Sequence, residues 1–472
     1  MRASRSLVFL SGILGTAAVL SAAGDDPPAT DPPPVEVRLP DPGAAEEPVA
    51  FEAGEGLQGF VVRVGAGGLQ TPAVDGDSVF VGAGSEMRSY ACLGGRLKWK
   101  APTDDSSPSS PAVAGGRVYF NTQSCTVYAL DAATGERAWS QWIAGSVATT
   151  PAVSGDVVFV SGPDNEKGAA GYKLEAYAAA DGKRLFRSAL RADIYSAPVV
   201  RGGRVYYGMA DGTVAASDLS GKALWETKGE ALAAPCPHGG RLLVAAGKDA
   251  AGVPGLVTLD AATGASGRAV ATPPGGTAKM PGDEPGRKGG GAGGKPVKRP
   301  APSPKPPTGP RDNPDGSGGG RGQPPVVVPP AAPGVPPRGP GTAFGYEGPR
   351  PCVVGETAAM ASGEALLLQP VAGGETLRVP LAGPAAGSPV AAGSLVLQAT
   401  QGGRLIAVDA ASGKVRFELR FTRNGSPVAL VSSPAVTRGR AYLGTAEGTL
   451  VAVDLPDPSA DGWPMWGGGP SR

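Results

Sequence analysis

Residues 129–139 read ALDAATGERAW, and residues 407–417 read AVDAASGKVRF. Both stretches place an Asp two residues after an Ala, a Gly four residues after that Asp, and an aromatic residue four residues after the Gly. Near-copies this far apart in one chain indicate an internal repeat. A second repeated feature is a Pro that starts a short apolar run, and it occurs eight times, at Pro72, Pro111, Pro151, Pro198, Pro235, Pro351, Pro389 and Pro434.

One interval between these prolines is much longer than the others. The usual spacing is about 40 residues, as in propeller blades, but 116 residues separate Pro235 from Pro351. Residues 271–342 account for the difference, since they contain 20 Pro, 18 Gly and no aromatic residue. Such a segment buries too little apolar surface to offset its ordering entropy, so we expect a disordered insertion between blades.

Each repeat contains four short apolar runs separated by turns that contain Gly. The first run starts at the Pro, where a missing N–H is tolerated, and the last run carries the bulky aromatic residue. Four antiparallel strands per unit, repeated radially, form a β-propeller. The sequence therefore predicts an all-β fold, an eight-bladed β-propeller of four-stranded antiparallel blades with a long disordered insertion.

The quoted motif has a physical interpretation. Asp131 should hold its turn by side-chain hydrogen bonds, and Gly135 permits that turn. The ring of Trp139 should pack onto the neighbouring blade and stabilise it by ~1.5–3 kcal/mol when buried. Ala129 completes the motif. Equivalent ring positions are Trp99, Phe186, Trp225 and Phe417. Copies five and six carry Arg268 and Arg378 there, which predicts looser junctions.

Ring closure is predicted from both ends of the repeat region. The eighth copy stops near Asp454 without a fourth strand, and residues 56–64, GLQGFVVRV, have no partners in their own copy. We expect this segment to complete the last blade and so remove an exposed sheet edge. The predicted organisation is blades 1–5 in residues 51–270, the insertion at 271–342, blades 6–8 in residues 343–460, and a tail at 461–472.

The N-terminus has the pattern of a secretory signal. Arg2 and Arg5 precede the apolar run 7–20 and the small residues 21–23, which predicts a signal peptide over residues 1–23. An uncleaved anchor is the alternative. Residues 24–50 are rich in Pro and acidic residues and are predicted to form an extended linker. A secreted, periplasmic or cell-surface location follows.

Composition restricts the chemistry. The net charge is +1, so there is no reason to expect a specific nucleic-acid partner. His238 is the single histidine, which disfavours catalytic triads and multi-histidine metal sites, and we interpret it as a turn residue. Cys236 and Cys352 occupy equivalent positions in blades five and six. Free thiols are expected there, with a disulfide as the alternative.

The repeat resembles the pyrroloquinoline quinone (PQQ) repeat, or quinoprotein-like, β-propeller family. The pattern A-x-D-x-x-x-G-x-x-x-W is met in full by Ala129, Asp131, Gly135 and Trp139. The resemblance implies either a quinoprotein dehydrogenase, which holds PQQ and calcium over the central channel, or a non-catalytic propeller. The latter is typified by the subunit of the outer-membrane β-barrel assembly machinery. Family dehydrogenases also carry adjacent cysteines, and this sequence has no such pair.

We therefore predict a non-enzymatic scaffold of the cell envelope that is a monomer, binds a protein or polymer partner, and holds neither PQQ nor calcium. A PQQ-dependent oxidoreductase acting on alcohols or sugars is the alternative. Contact with a membrane is expected only through an uncleaved signal. A further hypothesis is polyanion binding by the basic insertion; its candidate contacts are Arg287, Lys288, Lys295, Lys298, Arg299 and Lys305.

Overall fold

The computed structural model describes residues 31–43, 46–103, 108–122, 124–143, 150–164, 171–194, 196–229, 234–248, 254–266 and 350–462. The predicted signal peptide and the predicted insertion lie outside these residues.

The N-terminal part of the described chain is mostly extended. It contains β1 (Val35–Arg38), β2 (Pro48–Glu52), a short 3-10 helix (Gly54–Gly56) and β3 (Gln58–Arg63). We call residues 34–52 the strap.

Blades 1 to 4 have four strands each. Blade 1 consists of β4 (Ala73–Asp75), β5 (Ser78–Ala83), β6 (Glu86–Ala91) and β7 (Leu97–Pro102). Blade 2 consists of β8 (Ala112–Ala114), β9 (Arg117–Asn121), β10 (Thr126–Asp131) and β11 (Arg137–Trp142). Blade 3 consists of β12 (Ala152–Ser154), β13 (Val157–Asp164), β14 (Gly171–Ala178) and β15 (Arg184–Leu190). Blade 4 consists of β16 (Val199–Arg201), β17 (Arg204–Gly208), β18 (Val214–Asp218) and β19 (Ala223–Thr227).

Blades 5 to 8 follow in chain order. Blade 5 consists of β20 (Cys236–His238), β21 (Arg241–Lys248) and β22 (Pro254–Asp260). Blade 6 consists of β23 (Cys352–Val354), β24 (Thr357–Ser362), β25 (Ala365–Pro370) and β26 (Leu377–Pro380). Blade 7 consists of β27 (Ala385–Ala392), β28 (Leu395–Thr400), β29 (Arg404–Asp409), β30 (Val415–Arg423) and the short β31 (Ser426–Pro427). Blade 8 includes β32 (Ala435–Thr437), β33 (Arg440–Gly444) and β34 (Thr449–Asp454).

These strands form eight antiparallel blades, which confirms the predicted fold class. The first strand of every blade lies beside the first strands of both neighbouring blades, including those of blades 8 and 1. These strands therefore surround a central axis. In blade 5 the described fourth strand is limited to a bridge between Ser266 and Leu259, where the described residues end.

The chain's beginning completes blade 8, as expected. Strand β3 pairs in antiparallel register with β34, and Phe60 lies opposite Ala452. The fourth strand of the last blade thus comes from the N-terminal segment. This pairing covers the edge that β34 would otherwise expose.

The predicted linker is wrong for its described second half. Strand β1 pairs in parallel with β30 and widens blade 7, while β2 pairs with β3 and widens blade 8. The physical reason is that the strap carries alternating apolar residues despite its prolines. Val37 and Leu39 are buried, and buried apolar area offsets the cost of ordering an extended segment.

The hydrophobic core is divided into layers between neighbouring blades. One cluster joins blades 1 and 2 through Phe80, Met87, Trp99, Phe120 and Tyr128. Comparable clusters occupy the other junctions. Each sheet buries both faces against its neighbours, so the stability of the ring resides at the junctions.

Candidate functional site on the axis and at the blade junctions

The axis is lined by eight equivalent residues, each of which precedes an inner-strand proline. All eight are buried. Seven are small: Thr71, Ser110, Thr150, Ala197, Ala234, Ser388 and Ser433. The eighth is Arg350, which starts the inner strand of blade 6.

Hydroxyl groups link four of these positions around the axis. The backbone N–H of Arg350 donates to Ser388 Oγ at 3.0 Å. The N–H of Ser388 donates to Ser433 Oγ at 2.9 Å, and the N–H of Ser433 donates to Thr71 Oγ1 at 3.1 Å. A hydroxyl at this position therefore satisfies the backbone donor of the preceding blade, which explains the repeated Ser or Thr.

Arg350 is the one charged residue in this set, and 3% of it is exposed. Desolvation lowers the pKa of its guanidinium, and the neighbouring thiols of Cys236 and Cys352 act in the opposite direction. The inner end of the junction between blades 5 and 6 thus carries a buried guanidinium, which attracts anions and repels cations.

The cysteines of the inner strands are free thiols rather than a disulfide. Burial raises the pKa of Cys236 and of Cys352. A thiol that resists ionisation is a poor nucleophile and a poor metal ligand. These side chains therefore contribute packing, Cys236 in the apolar layer between blades 5 and 6 and Cys352 in the layer between blades 6 and 7.

His238 lies at the end of inner strand β20. Its Nε2 atom is 3.8 Å from Glu356 Oε1, and 31% of its side chain is exposed, against 85% for Glu356. The partner, Glu356, lies at a turn of the next blade and is exposed. This placement agrees with the interpretation of His238 as a turn residue.

The predicted motif residues lie at the junctions between blades. Ala129 is directly opposite Trp139 in the pairing of β10 with β11, so its small side chain leaves room for the indole. The Trp139 Nε1–H donates to the Ala179 carbonyl of blade 3 at 2.9 Å. The same ring covers Gly182, where an added Cβ would lie 2.7 Å from the indole. Glycine is required there because its φ of 71° and the ring above both exclude a side chain.

The same contact recurs around half of the ring, always from one blade to the next. The pairs of covering ring and covered glycine are Phe60 with Gly95, Trp99 with Gly135, Trp139 with Gly182, Phe186 with Gly221, and Trp225 with Gly264. The indoles of Trp99 and Trp225 also donate to carbonyls of the next blade, at 3.0 Å to Ala132 and at 3.3 Å to Ala261.

Asp131 organises the turn that presents the glycine. Its Oδ1 accepts hydrogen bonds from the backbone N–H groups of Ala133 and Thr134, each at 2.9 Å, and from Thr134 Oγ1. The backbone bond from Thr134 is the largest cause that lowers the pKa of this carboxylate. Hydrogen bonds within equivalent turns also lower the pKa of Asp218, Asp260 and Asp409. These carboxylates hold turns on separate blades and do not converge on one site.

The expectation for Arg378 is wrong by one residue. Leu377 lies four residues after Gly373 and occupies the ring position, with its Cδ1 at 3.1 Å from a Cβ added to Gly413 of blade 7. The turn of blade 6 contains two glycines, so counting from Gly374 shifts the register. Leu377 is 38% exposed, and this junction therefore has a smaller apolar contact than its counterparts. The equivalent Arg268 lies outside the described residues.

A buried ionic cluster between blades 2 and 3 was not found from the sequence. Lys173 and Glu175 are almost completely buried and lie 3.3 Å apart. The Lys173 Nζ donates to the Ile143 carbonyl, and Tyr177 Oη donates to Glu175 at 2.9 Å. The available sequence signal was the spacing of two residues between Lys173 and Glu175 in β14, which places both side chains on the same face of the strand. Removal of one partner would leave a buried charge without its counter-ion. We therefore expect the cluster to enforce this particular arrangement of blades 2 and 3 rather than to add much net stability.

Some predicted features fall outside the described residues. These are the basic side chains Arg287, Lys288, Lys295, Lys298, Arg299 and Lys305. In the part that the structure describes, no group of three or more His, Cys, Asp or Glu side chains is placed to hold a metal ion. Likewise, no helix among those residues has the length and apolar character needed to cross a membrane.

Comparison with known proteins places this geometry in a family. The family model described as outer membrane protein assembly factor BamB matches residues 46–171, 126–280 and 335–460. The chain belongs to this family. The crystal structure of BamB from Moraxella catarrhalis is similar at a TM-score of 0.54 and 15% identity, over 84% of this chain and 98% of that chain.

The chain is also similar to proteins with other names. The quinohemoprotein alcohol dehydrogenase from Comamonas testosteroni is similar at a TM-score of 0.53 and 15% identity, over 90% of this chain and 77% of that one. The serine/threonine-protein kinase AfsK of Streptomyces griseus is 38% identical over 103 residues, or 19% of this chain. The match spans 13% of that kinase. At these identities the solved structures establish the propeller fold alone.

Proposed function

We propose that this chain is a non-catalytic propeller of the cell envelope that serves as a binding scaffold for a protein or polymer partner. The observation that carries the proposal is that none of the eight residues preceding the inner-strand prolines is a carboxylate. A quinoprotein dehydrogenase would hold calcium and an anionic quinone over this channel. These eight positions offer hydroxyls, methyl groups and the guanidinium of Arg350, whose positive charge opposes Ca²⁺ although it would attract an anionic quinone.

These eight positions therefore lack the carboxylates that a calcium site usually uses. Calcium takes six to eight oxygen ligands, usually including carboxylates, and none of the eight axial residues is Asp or Glu. We assign no reaction step to this axis.

The scaffold and the dehydrogenase are distinguished by one assay. Purified protein is incubated with PQQ and CaCl₂, passed through a desalting column, and tested for bound chromophore and for dye-linked oxidation of alcohols and sugars. We expect no retained chromophore and no turnover. Stoichiometric chromophore with turnover would establish the oxidoreductase and reject the scaffold.

Envelope location is the second part of the proposal, supported by the signal-like residues 1–23 and by the family's description as an outer membrane protein assembly factor. Fractionation with N-terminal sequencing tests it. We expect the mature chain in the envelope fraction, starting at Gly24. Recovery of the full-length chain from the cytosol would contradict it.

Partner binding is tested by affinity capture from a native envelope extract. The full mature chain is compared with a variant that lacks residues 285–307, at low and at high salt. A partner retained by both chains binds the propeller. A partner that is lost on deletion and released by salt supports polyanion contact by the basic insertion.

A further inference from the structure

The seam between blades 7 and 8 lacks the ring-on-glycine contact that joins five other junctions. Gly56 is the turn glycine of the closing strand, with a φ of 74°. A Cβ added there would meet no atom within 4 Å. Gly95, Gly135 and Gly182, by contrast, each lie under an aromatic ring. The point at which the chain's beginning meets its end is therefore also a junction without the repeat's own contact.

The strap provides a different contact at this seam. Val37 and Leu39 are buried in one cluster with Leu57 of the closing segment and with Phe417 and Phe421 of blade 7. The cluster thus joins blade 7, blade 8 and the strap. Burying two aliphatic side chains of this size stabilises a junction by ~1.5–3 kcal/mol each.

Backbone hydrogen bonds hold the strap to both sheets. Strand β1 extends blade 7 in parallel, with Val37 opposite Phe421, and the Leu39 N–H donates to the Thr422 carbonyl at 2.8 Å. Strand β2 extends blade 8, where Phe51 lies opposite Gly59. A Cβ added to Gly59 would overlap the Phe51 ring, so only glycine leaves room for that ring.

A third blade is reached by Glu46. Its backbone N–H donates to the Arg63 carbonyl of blade 8 at 3.1 Å. Its carboxylate lies 2.9 Å from Lys100 Nζ and 3.3 Å from Arg88 Nη1, both of blade 1. One short segment therefore contacts the three blades on either side of the closure.

We propose that the strap is a clasp that locks ring closure, so that its release by cleavage within residues 34–52 loosens blades 7, 8 and 1 while the remaining blades stay closed. Cleavage at the predicted signal site, before Gly24, leaves the clasp intact. Cleavage within residues 34–52 removes part or all of it.

Acid should weaken the clasp through Glu46. The hydrogen bond from Lys100 is the largest cause that lowers the pKa of Glu46, and Arg88 adds to it. The charged groups around it are Lys100, Arg88 and the Glu86 that pairs with Arg88. Because the folded-state pKa lies below the ordinary value, this stabilisation is present at neutral pH. It is lost as the pH falls through the folded-state pKa.

Hydrogen exchange of three purified chains tests the proposal. One chain starts at residue 24, one at residue 34 as the matched control, and one at residue 53. The reporting strands are β29 and β34, which make no backbone pairing with the strap, and the reference strand is β18 of blade 4. We expect the chain from residue 53 to exchange about tenfold faster in β29 and β34, with β18 unchanged and the chain from residue 34 identical to the longest chain. Unchanged protection in β29 and β34, or equal loss in β18, would overturn the clasp.

Point variants test the clasp even if the chain from residue 53 fails to fold. Glu46→Gln removes the charge that contacts blade 1, and Glu47→Gln is its exposed neighbour and control. Phe51→Ala removes the ring over Gly59. We expect Glu46→Gln and Phe51→Ala to accelerate exchange in β34, and the Glu46→Gln effect to disappear at acidic pH, where wild-type Glu46 is also neutral. No effect from either variant at neutral pH would reject the clasp.

Discussion

Blades 1 to 4 and blades 6 to 8 are joined in different ways. On the first side, an aromatic ring of each blade covers a turn glycine of the next, and at Trp99, Trp139 and Trp225 an indole N–H also donates to a carbonyl across the junction. On the second side, Leu377 replaces the ring between blades 6 and 7, and the strap joins blades 7 and 8. The comparison shows that the repeat motif joins neighbouring blades, that Leu377 makes a smaller contact at the same position, and that the strap supplies the apolar contact between blades 7 and 8.

The largest expected effect comes from removing one ring. Trp139→Ala empties a buried site between blades 2 and 3 and abolishes the bond to Ala179, so we expect unfolding free energy to fall by about 3–5 kcal/mol. Chemical denaturation measures the change. Trp142→Ala is the control, since Trp142 is 68% exposed, and it should change stability by less than about 0.5 kcal/mol. Equal effects of the two variants would contradict the junction role of Trp139.

The glycine side of the contact should be nearly as sensitive. Gly135→Ala places a Cβ 2.6 Å from the Trp99 ring at a φ of 76°, and strain plus displacement of the ring should cost about 2–4 kcal/mol. Gly115→Ala has a φ of 57° and open space around its Cβ, so it reports backbone strain alone. Thermal or chemical unfolding of both variants measures each loss of stability, and the difference between the two is the steric cost of the clash with the Trp99 ring. Equal losses would show that the clash contributes nothing.

A smaller effect is expected on the side without rings. Leu377→Ala removes the partly exposed contact with blade 7 and should cost about 1 kcal/mol. The measurement is again the denaturation midpoint, beside that of Trp139→Ala. A loss as large as that of the tryptophan variant would show that the two kinds of junction are energetically alike.

The smallest effect is expected in the turn. Asp131→Ala removes hydrogen bonds to exposed backbone donors and should cost about 0.5–1 kcal/mol. Because these bonds hold the pKa of Asp131 below its ordinary value, the wild-type advantage is present at neutral pH and declines as the pH falls through the folded-state pKa. Denaturation at neutral and acidic pH should therefore show the variant and the wild type converging in acid. Parallel curves at all pH values would contradict this role of the carboxylate.

The repeat itself could be predicted because its determinants are local and recur. Pro72 and its equivalents precede inner strands, and the pairing of β3 with β34 follows from one blade short of a strand and one strand without a blade. The strap could not be predicted by the same means. Its prolines and acidic residues resemble those of a linker, and its apolar residues Val37 and Leu39 share a cluster with Phe417 and Phe421, which lie more than 370 residues later in the chain.

The axial arginine escaped prediction for a related reason. Arg350 immediately precedes a repeat proline, and the equivalent residue in each of the seven other blades is small. This contrast becomes visible only when the eight inner strands are placed side by side around the axis. The register at Leu377 was missed because two adjacent glycines gave two possible counts. Both cases show that equivalence between repeats is decided by geometry when the spacing is ambiguous.

The ring-on-glycine contact has a direction, since blade 8 and blades 1 to 4 each place an aromatic ring over the turn glycine of the next blade. Contacts of this head-to-tail kind either close on themselves or continue without limit. If the seam were held open, the two liberated faces would be complementary to those of another opened molecule. A clasp that secures this seam would therefore also disfavour polymerisation.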